Sequence, residues 1–183
     1  QPNQRYQNSP ESRTKSVGVD DDQDRDHTLR CGRAPTHSRR NGAVLDHDGE
    51  VLRFIGDAAL AIFPVEEGGW SKKEACEAAV KAAKDALERM AELNRQRESF
   101  GTAPLGFGIG LHLGDVMYGN IGTADRIEFT VIGAAANEAA RIEGLCKTYG
   151  AGILMTSGVL KKISQAEQYQ IRYLGKIQVK GKN

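Results

Sequence analysis

The sequence predicts an α/β chain, an α+β sandwich in which helices cover one face of a sheet. Three observations predict it: two apolar runs joined across a Gly-Asp pair, a long stretch of helical periodicity opened by a capping motif, and a run of strict alternation with glycine on one side. Strand-like and helix-like segments interleave, with hairpins among them, so each must bury its apolar side against another layer.

At 183 residues the chain is long enough for one domain with a sizeable core and too short for two ordinary ones. Lys and Arg number 25 against 24 Asp and Glu, a net charge of +1, which gives no overall field for nucleic acid or an anionic membrane. The three cysteines, Cys31, Cys76 and Cys146, lie far apart with no CxxC pair, which argues against a zinc site or a disulfide framework. A reducing, cytoplasmic location is expected. No apolar run approaches the roughly 18 residues of a membrane span, and no signal-peptide pattern opens the chain.

Residues 1–42 are polar and include DDDQDRD, too few apolar groups to offset the entropy of ordering, so they read as a disordered or loosely attached segment. Asp20, Asp22, Asp24 and Asp26 alternate as in a calcium loop, but the glycine and closing glutamate of such a loop are missing, and a solvated acidic run is expected. The domain begins at Ala43 and runs to Asn183. VLRFI and ALAIF are two strands joined across Gly56 and Asp57, a hairpin-length connection. An unpaired carboxylate beside buried strands is costly, so Asp57 either caps a surface turn or holds a cation.

Ser71 and Glu74 in SKKE form a capping box, and a helix follows with Ala75, Ala79, Ala82, Ala83, Ala86, Leu87, Met90 and Leu93 on one face. That face is small, so the helix is expected to lie close on its sheet. LGFGIGLHLG alternates Leu105, Phe107, Ile109, Leu111 and Leu113 with Gly106, Gly108, Gly110, His112 and Gly114, leaving a bare face for another backbone. It lacks the last glycine of a dinucleotide fingerprint, and His112 reads as a packed core histidine. VMYGNIG and DRIEFTVIG are strands, a helix runs from about Ala134 to Lys147, GILMT is a strand, SGVLKKI a short helix, and QIRYLGKIQVKG a closing strand pair. In the helix from Ala134, Asn137 and Arg141 stand four apart on one face, beside small alanines that admit a ligand, which suits a phosphate. The alternative is an arginine that is merely solvated or paired with Glu138.

GEVLRFIGDAALAIFP, GFGIGLHLGDVMYGNIG, DRIEFTVIGAAANEAARIEGL and LGKIQVKG, in that order, closely resemble the catalytic domain of the class III adenylyl and guanylyl cyclases, particularly the bacterial adenylyl cyclase-like proteins. The resemblance implies a ferredoxin-like α/β core that dimerises head to tail, with active sites at the interface and two Mg²⁺ or Mn²⁺ ions per site. By the same resemblance Asp57 is a metal ligand, Asn137 and Arg141 are catalytic, and Lys180 contacts the triphosphate. The base is read at Arg53 and Thr130. Thr130 points to adenine and thus to ATP, whereas Arg53 stands where the family has lysine and changes the donor geometry. The implied activity is conversion of ATP to 3′,5′-cyclic AMP and pyrophosphate in cyclic-nucleotide signalling. The alternatives are a guanylyl cyclase using GTP and an impaired module that binds a nucleotide or a partner protein. Residues 1–42 hold neither the first strand, with its metal-binding aspartate, nor the helix that open the family's fold, and Asp20 at the end of VGVD is the nearest substitute. A regular first strand and helix are therefore expected to be absent, leaving an open sheet edge, and the C-terminal end is expected to be short.

Overall fold

The computed structural model describes residues 13–21, 42–55, 58–65, 69–123 and 126–177, with the backbone alone for residues 13–21, 55 and 118–132. In chain order the elements are β1 (Arg13–Asp21), a helical turn α1 (residues 42–46), β2 (Glu50–Ile55), β3 (Ala58–Val65), α2 (Lys72–Ser99) and β4 (Phe107–Leu113). There follow β5 (Met117–Thr123), β6 (Arg126–Ile132), α3 (Ala134–Glu143), α4 (Cys146–Tyr149), β7 (Ile153–Met155) and α5 (Ser157–Leu160). The main sheet has the order β2-β3-β1-β4-β7, and β5 and β6 form a ribbon of their own. β1 lies antiparallel between β3 and β4, β2 is antiparallel to β3, and β7 is parallel to β4. This is the ferredoxin-like arrangement.

β1 corrects the expectation of a missing first strand and of disorder throughout residues 1–42. Arg13–Asp21 is a central strand, with Val17 opposite both Ala61 and Leu111. Its composition is polar, but backbone ladders on both sides do not depend on side-chain type, so the sheet supplies what the sequence lacks. The open edge expected from its loss does not arise there. Residues 1–12 and 22–41 lie outside the described residues.

The hairpin between β2 and β3 closes as expected: Ile55 faces Ala58, with Gly56 and Asp57 between them in sequence. At the start of α2 the Ser71 amide donates to Glu74 Oε2 at 2.8 Å and the Glu74 amide donates to Ser71 Oγ at 3.3 Å, so two otherwise orphaned amides are satisfied. At its far end the Asn94 side chain donates to the Leu105 carbonyl and accepts from the Leu105 amide, tying the helix to the approach to β4. Arg89 bonds Asp85 on its own helix and Asp46 on α1, fastening the segment before β2 to α2, and these bonds hold its pKa above the ordinary value.

The core forms where the alanine face of α2 meets Ala61, Phe63, Ile109, Leu111 and Val159. Alternation along β4 turns Ile109 and Leu111 toward α2, and Gly108, Gly110 and His112 toward α3 and α4. The two main helices thus lie on opposite faces of the sheet, which corrects the expectation of helices on one face only.

The bare side of β4 admits α3 as expected from the glycines. A Cβ on Gly110 would collide with the Ala139 carbonyl oxygen and stand 2.5 Å from the Glu143 amide nitrogen, and one on Gly108 would stand 2.8 Å from Cys146 Cβ. The helix expected to run unbroken to Lys147 instead stops at Glu143, is capped by Gly144 and resumes as α4. There the Cys146 thiol lies 3.5 Å from the Ile109 carbonyl oxygen, and burial pushes its pKa up. The expected closing strand pair is not formed over residues 171–177, which carry no regular structure. Within that stretch Arg172 donates to the Tyr149 carbonyl at 3.3 Å while Tyr173 is exposed, and no ladder partner lies beyond β7 among the described residues.

Gly110→Ala is expected to lower stability by about 1–3 kcal/mol, the usual cost of forcing extra volume into a packed contact. Urea unfolding of the purified variant checks it, and an unchanged midpoint would show that α3 does not rest on this strand as closely as described.

Candidate active site

Helix α3 presents the expected pair. Ala135 and Ala139 are buried against β4, and a Cβ on Gly114 would stand 2.6 Å from Ala135 Cβ. Steps of about 100° per residue put Asn137 and Arg141 on the opposite side of the helix, and both are exposed. The alanines therefore serve mainly as the helix's contact surface, Ala134 being the exposed one among the first three. Glu138 does not take Arg141 as its partner. It lies 3.2 Å from His112 Nε2 across the glycine face, so His112 is a packed, paired histidine as its position implied. Among the described residues Arg141 has no ion pair, and its side chain is exposed, which leaves a guanidinium of the kind that binds phosphate.

The residues expected to read the base lie on elements that approach each other. Arg53 is exposed on β2, Thr130 stands on β6 opposite Gly119, and β2 contacts β6. β6 leads through Gly133 into α3, so Thr130 and Asn137 belong to one continuous strand-to-helix unit. A Cβ at Gly133 would stand 3.2 Å from the Asp115 carbonyl oxygen, which shows how tightly that entry is packed. Asp57 and Lys180 lie outside the described residues.

One candidate gains standing from the sheet register. Val19 is opposite Ala59 in the β1–β3 ladder, and Ile55 is opposite Ala58 in the β2–β3 ladder. Asp20, the residue after Val19, therefore sits at the end of β1 that lies beside the start of β3. VGVD alone is too short to mark a strand, so the sequence did not place Asp20 on one. Among the described residues no group of three or more His, Cys, Asp or Glu gathers as a metal site. Within the same residues no helix is long and apolar enough to cross a membrane.

Comparison with known proteins agrees with this architecture. Residues 38–183 match the family described as the adenylate and guanylate cyclase catalytic domain. Among curated relatives, adenylate cyclase of Anabaena cylindrica is 37% identical over 148 residues, covering 78% of this chain and 28% of the relative. The terminal-differentiation-specific adenylate cyclase of Dictyostelium discoideum is 34% identical over 143 residues, covering 77% of this chain and 6% of the relative. The chain thus spans less than a third of the length of these relatives. Among solved structures, the adenylyl cyclase CyaB from P. aeruginosa superposes with a TM-score of 0.74 at 23% identity, over 93% of this chain and 88% of that one. The guanylyl cyclase Cya2 gives 0.67 at 25% identity, over 94% and 88%. A family match that takes in both the β2–β3 hairpin and the Asn137–Arg141 helix makes this chain a member of the adenylate and guanylate cyclase catalytic domain family.

Proposed function

We propose that this chain is an adenylyl cyclase domain that converts ATP to 3′,5′-cyclic AMP and pyrophosphate, with two copies paired head to tail around each active site. The observation that carries this reading is the exposure of Asn137 and Arg141 side by side on α3, with no ion pair to Arg141 among the described residues. An uncommitted guanidinium one turn from an amide is suited to an anionic ligand that is not part of its own fold. Thr130 supports adenine as the base, as do the relatives named adenylate cyclase. The exposed apolar side chains of Phe54 on β2 and Met117 on β5 support self-association, since such groups are commonly covered in a partner interface.

In the reaction the ribose 3′-oxygen bonds to the α-phosphorus, the bond from that phosphorus to the bridging oxygen of pyrophosphate breaks, and the hydroxyl proton leaves to solvent. No side-chain nucleophile is needed. Asn137 would hold the ribose so that its 3′-oxygen lies in line with the leaving group, a contribution of positioning. Arg141 would meet the negative charge that builds on the α-phosphate as the new bond forms, and Lys180 would hold the departing pyrophosphate. Asp57, with Asp20 at the neighbouring strand end, offers hard carboxylate oxygens of the kind that Mg²⁺ or Mn²⁺ prefers. When bound, such ions lower the pKa of a coordinated hydroxyl and neutralise phosphate charge. Arg53 and Thr130 would read the edge of the base.

Incubating the purified chain with ATP or GTP and Mg²⁺ or Mn²⁺ tests the proposal, and cyclic AMP with equimolar pyrophosphate is the expected product. Product from GTP alone would reverse the base assignment, and nucleotide binding without turnover would leave a non-catalytic module. Arg141→Ala is expected to lower kcat by about 100-fold or more while shifting folding stability by less than about 0.5 kcal/mol, as for other exposed positions. A variant that unfolds instead would make Arg141 structural. For Asp57→Asn the expected result is loss of metal-dependent turnover, and a metal titration curve identical to that of the parent chain would remove Asp57 from the metal site.

A further inference from the structure

The glycine face of β4 solves one problem for α3 and creates another. Gly108, Gly110 and Gly114 let the helix come to backbone contact, but hydrogen atoms form no ridges to lock into the grooves of a helix. A face without side chains offers a helix few features that fix its register, and one residue of slippage along it rotates every side chain by about 100°. The single side chain that rises from this face is His112. Its Nε2 lies 3.2 Å from Glu138 Oε2, and the two side chains are only 15% and 21% exposed. Glu138 follows Asn137 directly and stands one turn before Arg141. Beyond the end of α3, the Cys146 thiol on α4 meets the Ile109 carbonyl and holds the next helix to the same strand.

We propose that His112 and Glu138 are positioning residues, which pin α3 to β4 in the one register that presents Asn137 and Arg141 together on its outer side. The pair acts on the reaction through these two residues, so this inference rests on the roles proposed above for Asn137 and Arg141. It does not touch substrate. A close polar contact of low exposure is suited to such a task, because it joins one atom on the strand to one atom on the helix, whereas the apolar contacts around it are spread over a surface.

The experiment compares His112→Ala, His112→Gln, Glu138→Ala, Glu138→Gln and the double variant His112→Ala/Glu138→Ala in the full chain. With MgATP, the alanine variants are expected to lose about 10- to 100-fold in kcat, the scale on which small displacements of a catalytic group are felt, with KM changed by less than about three-fold. The double variant should be no worse than the worse single one, since both remove the same tie. Glu138→Gln, which keeps an oxygen of the same reach beside His112 Nε2, should recover most of the loss. If His112→Ala does not fold, His112→Gln and Glu138→Ala carry the comparison.

A readout independent of turnover is the NMR position of the Asn137 side-chain amide and the Arg141 Nε–H signal. Both should move in Glu138→Ala and stay near the parent positions in Glu138→Gln. Unmoved signals in a folded Glu138→Ala chain overturn the inference whatever the activity is. If Arg141→Ala abolishes turnover while Glu138→Ala leaves kcat intact, the clamp is wrong and the proposed function stands. If Arg141→Ala leaves turnover intact while the signals still move, the catalytic roles fail and the positional tie remains.

Discussion

The contact on which most of this molecule depends is backbone against backbone: α3 lies directly on the glycine side of β4. Ordinary helix-on-sheet packing separates the two by a layer of side chains, whereas here the Ala139 carbonyl and the Glu143 amide meet Gly110 itself. The gain is closeness. The exposed side of α3, with Asn137 and Arg141, is thereby held nearer to the sheet than a full side-chain layer would allow. The cost is lost apolar burial, since on this side only Ala135 and Ala139 of the helix are buried. The opposite face of β4 makes up for it, because Ile109 and Leu111 are fully buried with α2. One strand thus carries two different interfaces, an apolar one that stabilises the fold and a bare one that sets the placement of a functional helix.

The same economy appears in α2. Its buried face is mostly small, with Ala75, Ala79, Ala82, Ala83 and Ala86 beside Cys76, Val80 and Met90, so the large side chains between helix and sheet come mainly from the sheet. Small residues gain little per contact, and the helix compensates through its length and its ends. The Ser71–Glu74 box satisfies its first turn and Asn94 holds its last turns to the chain before β4. The ion pairs of Arg89 with Asp46 and Asp85 are partly exposed and each is worth little by itself. Their effect is geometric, because one guanidinium joins the short helical turn before β2 to the side of a 28-residue helix.

How much of this was legible in the sequence differs from element to element for physical reasons. The capping box and the small face of α2 were readable because both are local: they depend on residues three or four apart in one helix. The alternation in LGFGIGLHLG was readable too, and it foretold the close approach of another backbone, although not that the partner would be α3 on the face away from α2. β1 was illegible. A central strand draws its stability from two neighbours that lie far away in the chain, so the polar run RTKSVGVDD carries little sign of its place. The break at Gly144 was missed because periodicity continues across it, while the packing of Cys146 against Gly108 turns the chain. At the site, the Asn137–Arg141 spacing gave the exposed pair, but the pairing of Arg141 with Glu138 offered as an alternative is not formed, and Glu138 lies beside His112 instead. An i, i+3 neighbour looked available on the helix, and only the fold brings His112 closer.

The placement of α3 bears on why one copy of the chain, on the proposed reading, should not be enough. Asn137 and Arg141 point away from the sheet that α3 covers, because the alanines on the other side of the helix are already used against β4. The end of β1, with Asp20, belongs to that covered sheet and lies beside the start of β3. A ligand gripped at once by carboxylate-held cations and by Arg141 must therefore meet two surfaces that a single chain turns in different directions. A second copy placed head to tail brings the outward side of its α3 to the strand end of the first, and the reverse holds for the other site by symmetry. In such a pair the register of α3 on β4 matters doubly. An error of one helical residue would misplace the guanidinium relative to its own sheet and also relative to the partner's cations, so the proposed tie between His112 and Glu138 would lie where small displacements have the largest consequence.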